Sequence, residues 1–112
     1  MRIAIPLAQG RLTAHFGRCE SFALLDVDPA TRRTLSREEV KAPPHAPDVL
    51  PVWLAERGAQ VVIAGGMGQR AQRLFAEQGI EVLVGAPAAA PDSLVDDYLA
   101  GRLQAQANPC DH

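Results

Sequence analysis

No stretch of this chain approaches the roughly 18 to 20 consecutive apolar residues that a membrane-crossing helix needs. Neither sign of charge is in large excess. Eleven Lys and Arg against thirteen Asp and Glu leave a net charge of −2, and their interspersion along the chain gives no electrostatic case for nucleic acid or an anionic membrane surface. The opening "MRIAIPLA" places a basic residue before apolar ones, but the run is too short for a signal core and Gln9, Gly10 and Arg11 end it. A soluble, cytoplasmic chain is expected. Cysteine is scarce, with only Cys19 and Cys110, and two cysteines without a signal segment read as reduced thiols rather than a disulfide. Both are therefore available as ligands. Also lacking are a serine in a nucleophile elbow, a histidine beside an orienting carboxylate and a carboxylate cluster of the two-metal kind, so the residues favour binding over enzymatic catalysis. No internal repeat is visible.

What is present suits one compact domain, because 112 residues with 47% apolar content can bury a single core. Arg2–Leu7 reads as a first strand, followed by a loop of about a dozen residues, a length at which loops are often functional. Ser21–Asp28 alternates as a second strand, "DPATRR" signals a turn, and Thr34–Lys41 is polar enough for an exposed edge strand. Prolines hold an extended linker up to Asp48, which can cap a helix carrying Pro51 in its first turn and Leu50, Trp53 and Leu54 on one face. Gly58 ends that helix.

Val61–Ala64 is apolar on both faces, the mark of a strand buried between helix layers. After "GGMG", Gln69–Gln78 forms a second helix that Gly79 stops; Ile80–Val84 is the fifth strand, and Asp92 or Ser93 starts a third helix. These elements predict an α/β domain over residues 1–103, followed by a mobile tail, 104–112. Its mixed five-stranded sheet has order 3-2-1-4-5, with strand 2 antiparallel and helices on both faces. In that order the loops after strands 1 and 4 meet at a switch point, where open α/β sheets collect ligands.

Two short segments carry the candidate chemistry. In "HFGRC" a glycine, Gly17, lets the backbone turn, while His15 and Cys19 supply a nitrogen and a soft sulfur of the kind that suits iron, zinc or an iron–sulfur cluster. Arg18 could balance anionic charge; equally, the segment could be a loop whose phenylalanines pack and whose cysteine is a small buried hydrophobe. In "AGGMGQR", Gly65, Gly66, Met67 and Gly68 lead into a helix whose free amides form an anion-binding end beside Arg70. The lysine and Ser/Thr of a Walker loop are missing, and the glycines also suit a plain tight turn in which Met67 either fills a gap or offers a weak soft ligand. His45 lies among prolines in the linker, and Cys110 with His112 ends the chain as a thiolate and imidazole two residues apart. Two such ligands alone bind a metal weakly.

Taken together, "HFGRCESF", "PHAPDVLPVWLAERGAQVVIAGGMGQRAQRLFAEQGIEV" and the Cys/His terminus resemble the dinitrogenase iron–molybdenum cofactor-binding family, of the NifX and NifB C-terminal type, in its small stand-alone form. The resemblance spans nearly the whole chain. It implies a ribonuclease H-like fold without nuclease carboxylates, and a non-catalytic protein that carries, stores or inserts an iron–sulfur cluster or the iron–molybdenum cofactor and its precursors, as in nitrogen fixation. The family's favoured cofactor contact, the "HFG" histidine, maps onto His15. Gln69 departs from the proline common after "GGMG", and Pro47 and Asp48 replace small residues usual after the linker histidine. The expected site joins His15, Cys19, Arg18 and Arg70 across the glycine turn, with Cys110 and His112 as a removable clasp. Expected partners are the metal cluster and the proteins that donate or accept it, with the chain a monomer or weak homodimer.

The alternatives are a small-anion or nucleotide module using "GGMG", with His15 as a phosphate contact, and a metal-independent interaction domain that pairs through its polar edge strand.

Overall fold

The computed structural model describes residues 1–16, 19–43 and 48–103. The elements are Arg2–Ala8 (β1), Arg11–Leu12 (β2), Ser21–Asp28 (β3), Arg33–Lys41 (β4), Leu50–Glu56 (α1), Val61–Ile63 (β5), Gln69–Glu77 (α2), Glu81–Leu83 (β6) and Pro91–Leu99 (α3). The sheet has six strands, not the expected five: it runs β4-β3-β1-β5-β6, and β2 pairs with β1 off that path. β3 is antiparallel to β1 and β4, whereas β5 is parallel to β1 and β6 is parallel to β5. The extra strand arises because Gln9 and Gly10 both adopt positive φ, 56° and 78°, the two-residue turn that matches strand twist and folds the chain straight back. Leu7 then pairs with Leu12 and Ala8 with Arg11.

Side chains alternate along β1, so the core has two faces. Ala4 joins Phe22, Leu24 and Val62 beneath α1 and α2, where Leu50, Leu54 and Phe75 are buried. Ile3, Ile5 and Leu7 join Leu25 and Ile63 beneath α3, whose Leu94 and Val95 are buried. Helices thus cover both faces of the sheet. β4 is exposed over nearly its whole length, and its charged residues guard that open edge. Among the described residues, no helix is long and apolar enough to cross a membrane.

The helix ends follow glycine and proline, but the expected caps do not form. α1 carries proline in its first turn and reverses after Arg57 through Gly58 at φ 81°. Its N-cap is Val49 without a side-chain hydrogen bond; Asp48 instead accepts from Arg70 at 2.7 Å. α3 begins at Pro91 after Ala90, ahead of Asp92 and Ser93, because proline fixes a helical φ and needs no amide partner there. Asp92 accepts from Arg37 at 2.6 Å and so ties α3 to the edge strand β4.

One ionic cluster predicts an acid response. Arg2 grips Asp26 with two bonds of 2.9 Å, Ser36 donates a third of 2.9 Å, and another Arg2 nitrogen donates to the Arg57 carbonyl at 2.8 Å. The Arg2 hydrogen bonds, followed by that of Ser36, pull the Asp26 carboxyl down to about 2. An unfolded Asp titrates near ~3.9, so this stabilisation is complete above that pH and is lost as pH falls towards 2. Since the Asp26 side chain is 35% exposed, solvent screening limits the effect to about 1 kcal/mol or less. Urea titrations of wild type and Asp26→Asn from pH 5 to pH 2 are expected to converge on acidification; parallel curves would contradict the assignment.

Candidate functional site

The site is built where β1 and β5 part. Pro6 sits in this central strand without an N–H to offer its neighbour, and the β1–β5 pairing extends only through Ile3 with Val61 and Ala4 with Val62. The segment returning from β2 occupies the gap. The Thr13 amide donates to the Pro6 carbonyl at 3.1 Å, the Gly66 amide to the Ala14 carbonyl at 2.7 Å, and the Phe16 amide to the Gly66 carbonyl at 2.9 Å. His15 and Gly66 thereby form an isolated parallel bridge. The long loop expected after the first strand is therefore stitched to the turn after β5.

Thr13 supports this seam from below. It is a buried polar residue, 9% exposed, and its hydroxyl donates to the His15 carbonyl at 3.3 Å while accepting from the His15 amide at 3.4 Å. Gly65 must be glycine for the two segments to approach: a Cβ there would lie 2.9 Å from the Thr13 carbonyl oxygen and 3.2 Å from the Ala14 Cα and carbonyl oxygen.

The residues expected at the site have different positions. His15 is exposed on the bridge, and Gly65 and Gly66 are buried beneath it. Cys19 is half-buried against the core face that holds Phe16 and Met67. Burial pushes its thiol up to about 11. Met67 is 1% exposed, so its side chain packs into the core instead of opening to solvent as a ligand, and its carbonyl accepts from the Gln72 side chain at 2.8 Å. Gly68 is the exposed N-cap of α2, which has no side-chain cap. Arg70 does not reinforce that helix end alone; it pairs with Asp48 across an exposed surface. Gly17, Arg18, His45, Cys110 and His112 lie outside the described residues. Among the described residues, no three or more His, Cys, Asp and Glu side chains gather in a metal-sized group.

Residue-by-residue reading of the sequence missed a cavity of about 240 Å³ next to this seam. Its wall comes from three separated segments: residues 12–14, Gly65, and Gly85, Ala86 and Ala88. The β6 turn is held in place by the Gly85 amide donating to the Gly65 carbonyl at 2.6 Å and the Ala86 amide to the Ala64 carbonyl at 3.1 Å. The faint signal was "GAPAAAP", whose small side chains leave the space open but carry no titratable group to attract attention.

The profile of the family described as "Dinitrogenase iron-molybdenum cofactor" matches residues 1–101. An uncharacterized protein of Methanocaldococcus jannaschii is 27% identical over 107 residues, covering 93% of this chain and 90% of its own length. The crystal structure of PH0822 superposes with a TM-score of 0.86 at 28% identity, covering 95% of each chain. The apo form of the orange protein from Desulfovibrio gigas superposes with a TM-score of 0.73 at 27% identity, covering 96% of this chain and 94% of its own.

Proposed function

Because the chain belongs to the dinitrogenase iron-molybdenum cofactor family, we propose that it is a non-catalytic, cytoplasmic carrier whose cargo is an iron–sulfur cluster or an iron–molybdenum-type cofactor or precursor. The role would be storage, transfer or nitrogenase cofactor biosynthesis. The observation that carries this reading is the bridge between His15 and Gly66, because it couples the family's histidine loop to the glycine turn, next to Ala14 and Gly65 in the wall of a cavity. His15 supplies an exposed imidazole, and Cys19, four residues on, supplies a sulfur from the side of the sheet that α1 and α2 cover. A carrier benefits from few ligands, since a closed four-ligand shell retains its metal whereas a partly open one releases it to an acceptor. Gly17 with Arg18, His45, and Cys110 with His112 complete the proposed ligand and clasp set.

Anaerobic reconstitution with iron and sulfide tests the reading. Wild type is expected to gain a visible chromophore, and His15→Ala to lose most of it while folding stability stays within about 0.5 kcal/mol, the usual result at an exposed position. A wild-type protein that remains colourless would sink the cluster reading. Adding Cys19→Ala separates the rival anion module: metal loss with phosphate binding intact supports the carrier, and the reverse supports the rival. The exposed pairing of Arg70 with Asp48 weighs against that rival, because it draws a cation away from the α2 amides.

A further inference from the structure

The two edges of the sheet are finished differently. β4 carries Arg33, Arg37, Glu38, Glu39 and Lys41, whereas Val82–Val84 at the opposite edge carries no charge. The ladder fixes which backbone groups of that edge are in use. The Glu81 amide donates to the Gln60 carbonyl at 3.0 Å, the Leu83 carbonyl accepts from the Ala64 amide at 2.8 Å, and the Gly85 amide donates to the Gly65 carbonyl at 2.6 Å. Residues 81, 83 and 85 therefore face β5, and because alternate residues of a strand turn their N–H and C=O to opposite sides, Val82 and Val84 face away from it. Neither takes a backbone partner on that side within the described residues. Just before them the Ile80 amide is taken by the Phe75 carbonyl at 3.0 Å, which confines the open edge to these two residues. Half-buried apolar side chains flank it on both faces: Val82 and Val84 on the α1 and α2 side, and Leu83, Tyr98, Leu99 and Leu103 on the α3 side.

We propose that this edge docks a second copy of the chain, the two β6 strands pairing antiparallel about a two-fold axis at Leu83. A symmetric pair presents the same patch to itself, so its register must centre on one residue. Centring on Leu83 sets Val82 opposite Val84 of the second copy and uses the outward N–H and C=O of both residues in both copies. Centring on Val82 instead leaves Val84 opposite Ile80, whose amide is already taken. The Leu83 register also sets each Glu81 opposite Gly85, so the two carboxylates stand at opposite ends of the pairing and do not meet. β4 offers no equivalent, because a symmetric pairing centred on Arg37 or Glu38 brings like charges face to face. The docked pair extends one sheet across both copies and is independent of what the chain carries.

Sedimentation equilibrium of the full chain, without iron or sulfide, is expected to show monomer and dimer exchanging with concentration. Val82→Pro deletes an outward N–H and none of the bonds to β5, the placement in which a sheet tolerates proline. It is expected to weaken the dimer by about tenfold or more, since each copy loses a hydrogen bond to the other. Leu83→Cys tests the register if the proline variant does not fold. Across the axis its two Cα atoms form a non-hydrogen-bonded pair, about 4.5 Å apart, which a disulfide can span. Mild oxidation is expected to give a covalent dimer above the level of the native cysteines, and Glu81→Cys, opposite Gly85, is expected to give none. The proposal is overturned if wild type stays monomeric at millimolar concentration, if a folded proline variant dimerises unchanged, or if the two cysteine variants crosslink alike. Protection of the Val82 and Val84 amides from hydrogen exchange in the monomer would also overturn it, by showing that residues of the same chain cover the edge.

Discussion

Phe75→Ala is expected to remove about 3–5 kcal/mol of folding stability, the range for deleting a fully buried aromatic ring. Phe75 is 0% exposed and meets the Phe16 ring edge-on, centroids 5.5 Å apart at 81°. Phe16 in turn lies 6.0 Å from Phe22, and Phe22 lies 5.5 Å from Trp53. This aromatic chain runs from the residue after His15 along one face of the sheet to α1. Removing Phe75 leaves a cavity under the histidine loop as well as under α2. Urea unfolding followed by Trp53 fluorescence measures the loss directly, and a melting temperature more than about 10 °C lower should accompany it. A loss under about 1 kcal/mol would mean that the rings are not packed as described.

Gly65→Ala is the second large effect, and its sign depends on two opposing terms. Where the backbone tolerates alanine, losing a glycine stabilises a fold by about 0.4–1 kcal/mol through the unfolded state. Here the new methyl would lie 2.9 Å from a backbone oxygen of Thr13, and overpacking of this kind typically costs about 1–3 kcal/mol. Because the obstructing atoms are backbone, they yield only by moving residues 13–14 away. The clash therefore wins, for a net loss of about 1–2 kcal/mol. Hydrogen exchange supplies the specific check: the Phe16 and Gly66 amides should exchange faster in the variant, whereas those of β3 and β4 change only with global stability. Unchanged exchange at Phe16 and Gly66 would contradict the close approach.

Much of the architecture was legible because the physics was local. Val61–Ala64 announced a strand buried on both faces, and Gly58 and Gly79 marked helix ends that the chain makes with positive φ, 81° and 73°. β2 was not legible, since two residues show no periodicity and Gln9 is an unusual occupant of a left-handed turn position. Asp48 reads as a cap by local rules, but its carboxylate reaches Arg70, 22 residues away, a contact that depends on α1 and α2 lying side by side. The same limit governed the site. The proximity of His15 to the glycine turn followed from strand adjacency, whereas the cavity depends on small residues from three distant segments whose common property is not filling space.

The seam also separates two kinds of motion. The Pro6 carbonyl and the bridge pairs hold residues 13–16 through three backbone hydrogen bonds, each contributing on the order of 1 kcal/mol net. The strand pairs beneath them belong to the cooperative core. Phe16, 4% exposed and packed edge-on against Phe75, anchors the end of this segment in the core, so residues 13–15 fray more readily than residue 16. Proline at position 6 follows the last β1–β5 pair, Ala4 with Val62, so fraying at the seam is set by its own few bonds and not by the stability of the sheet beneath.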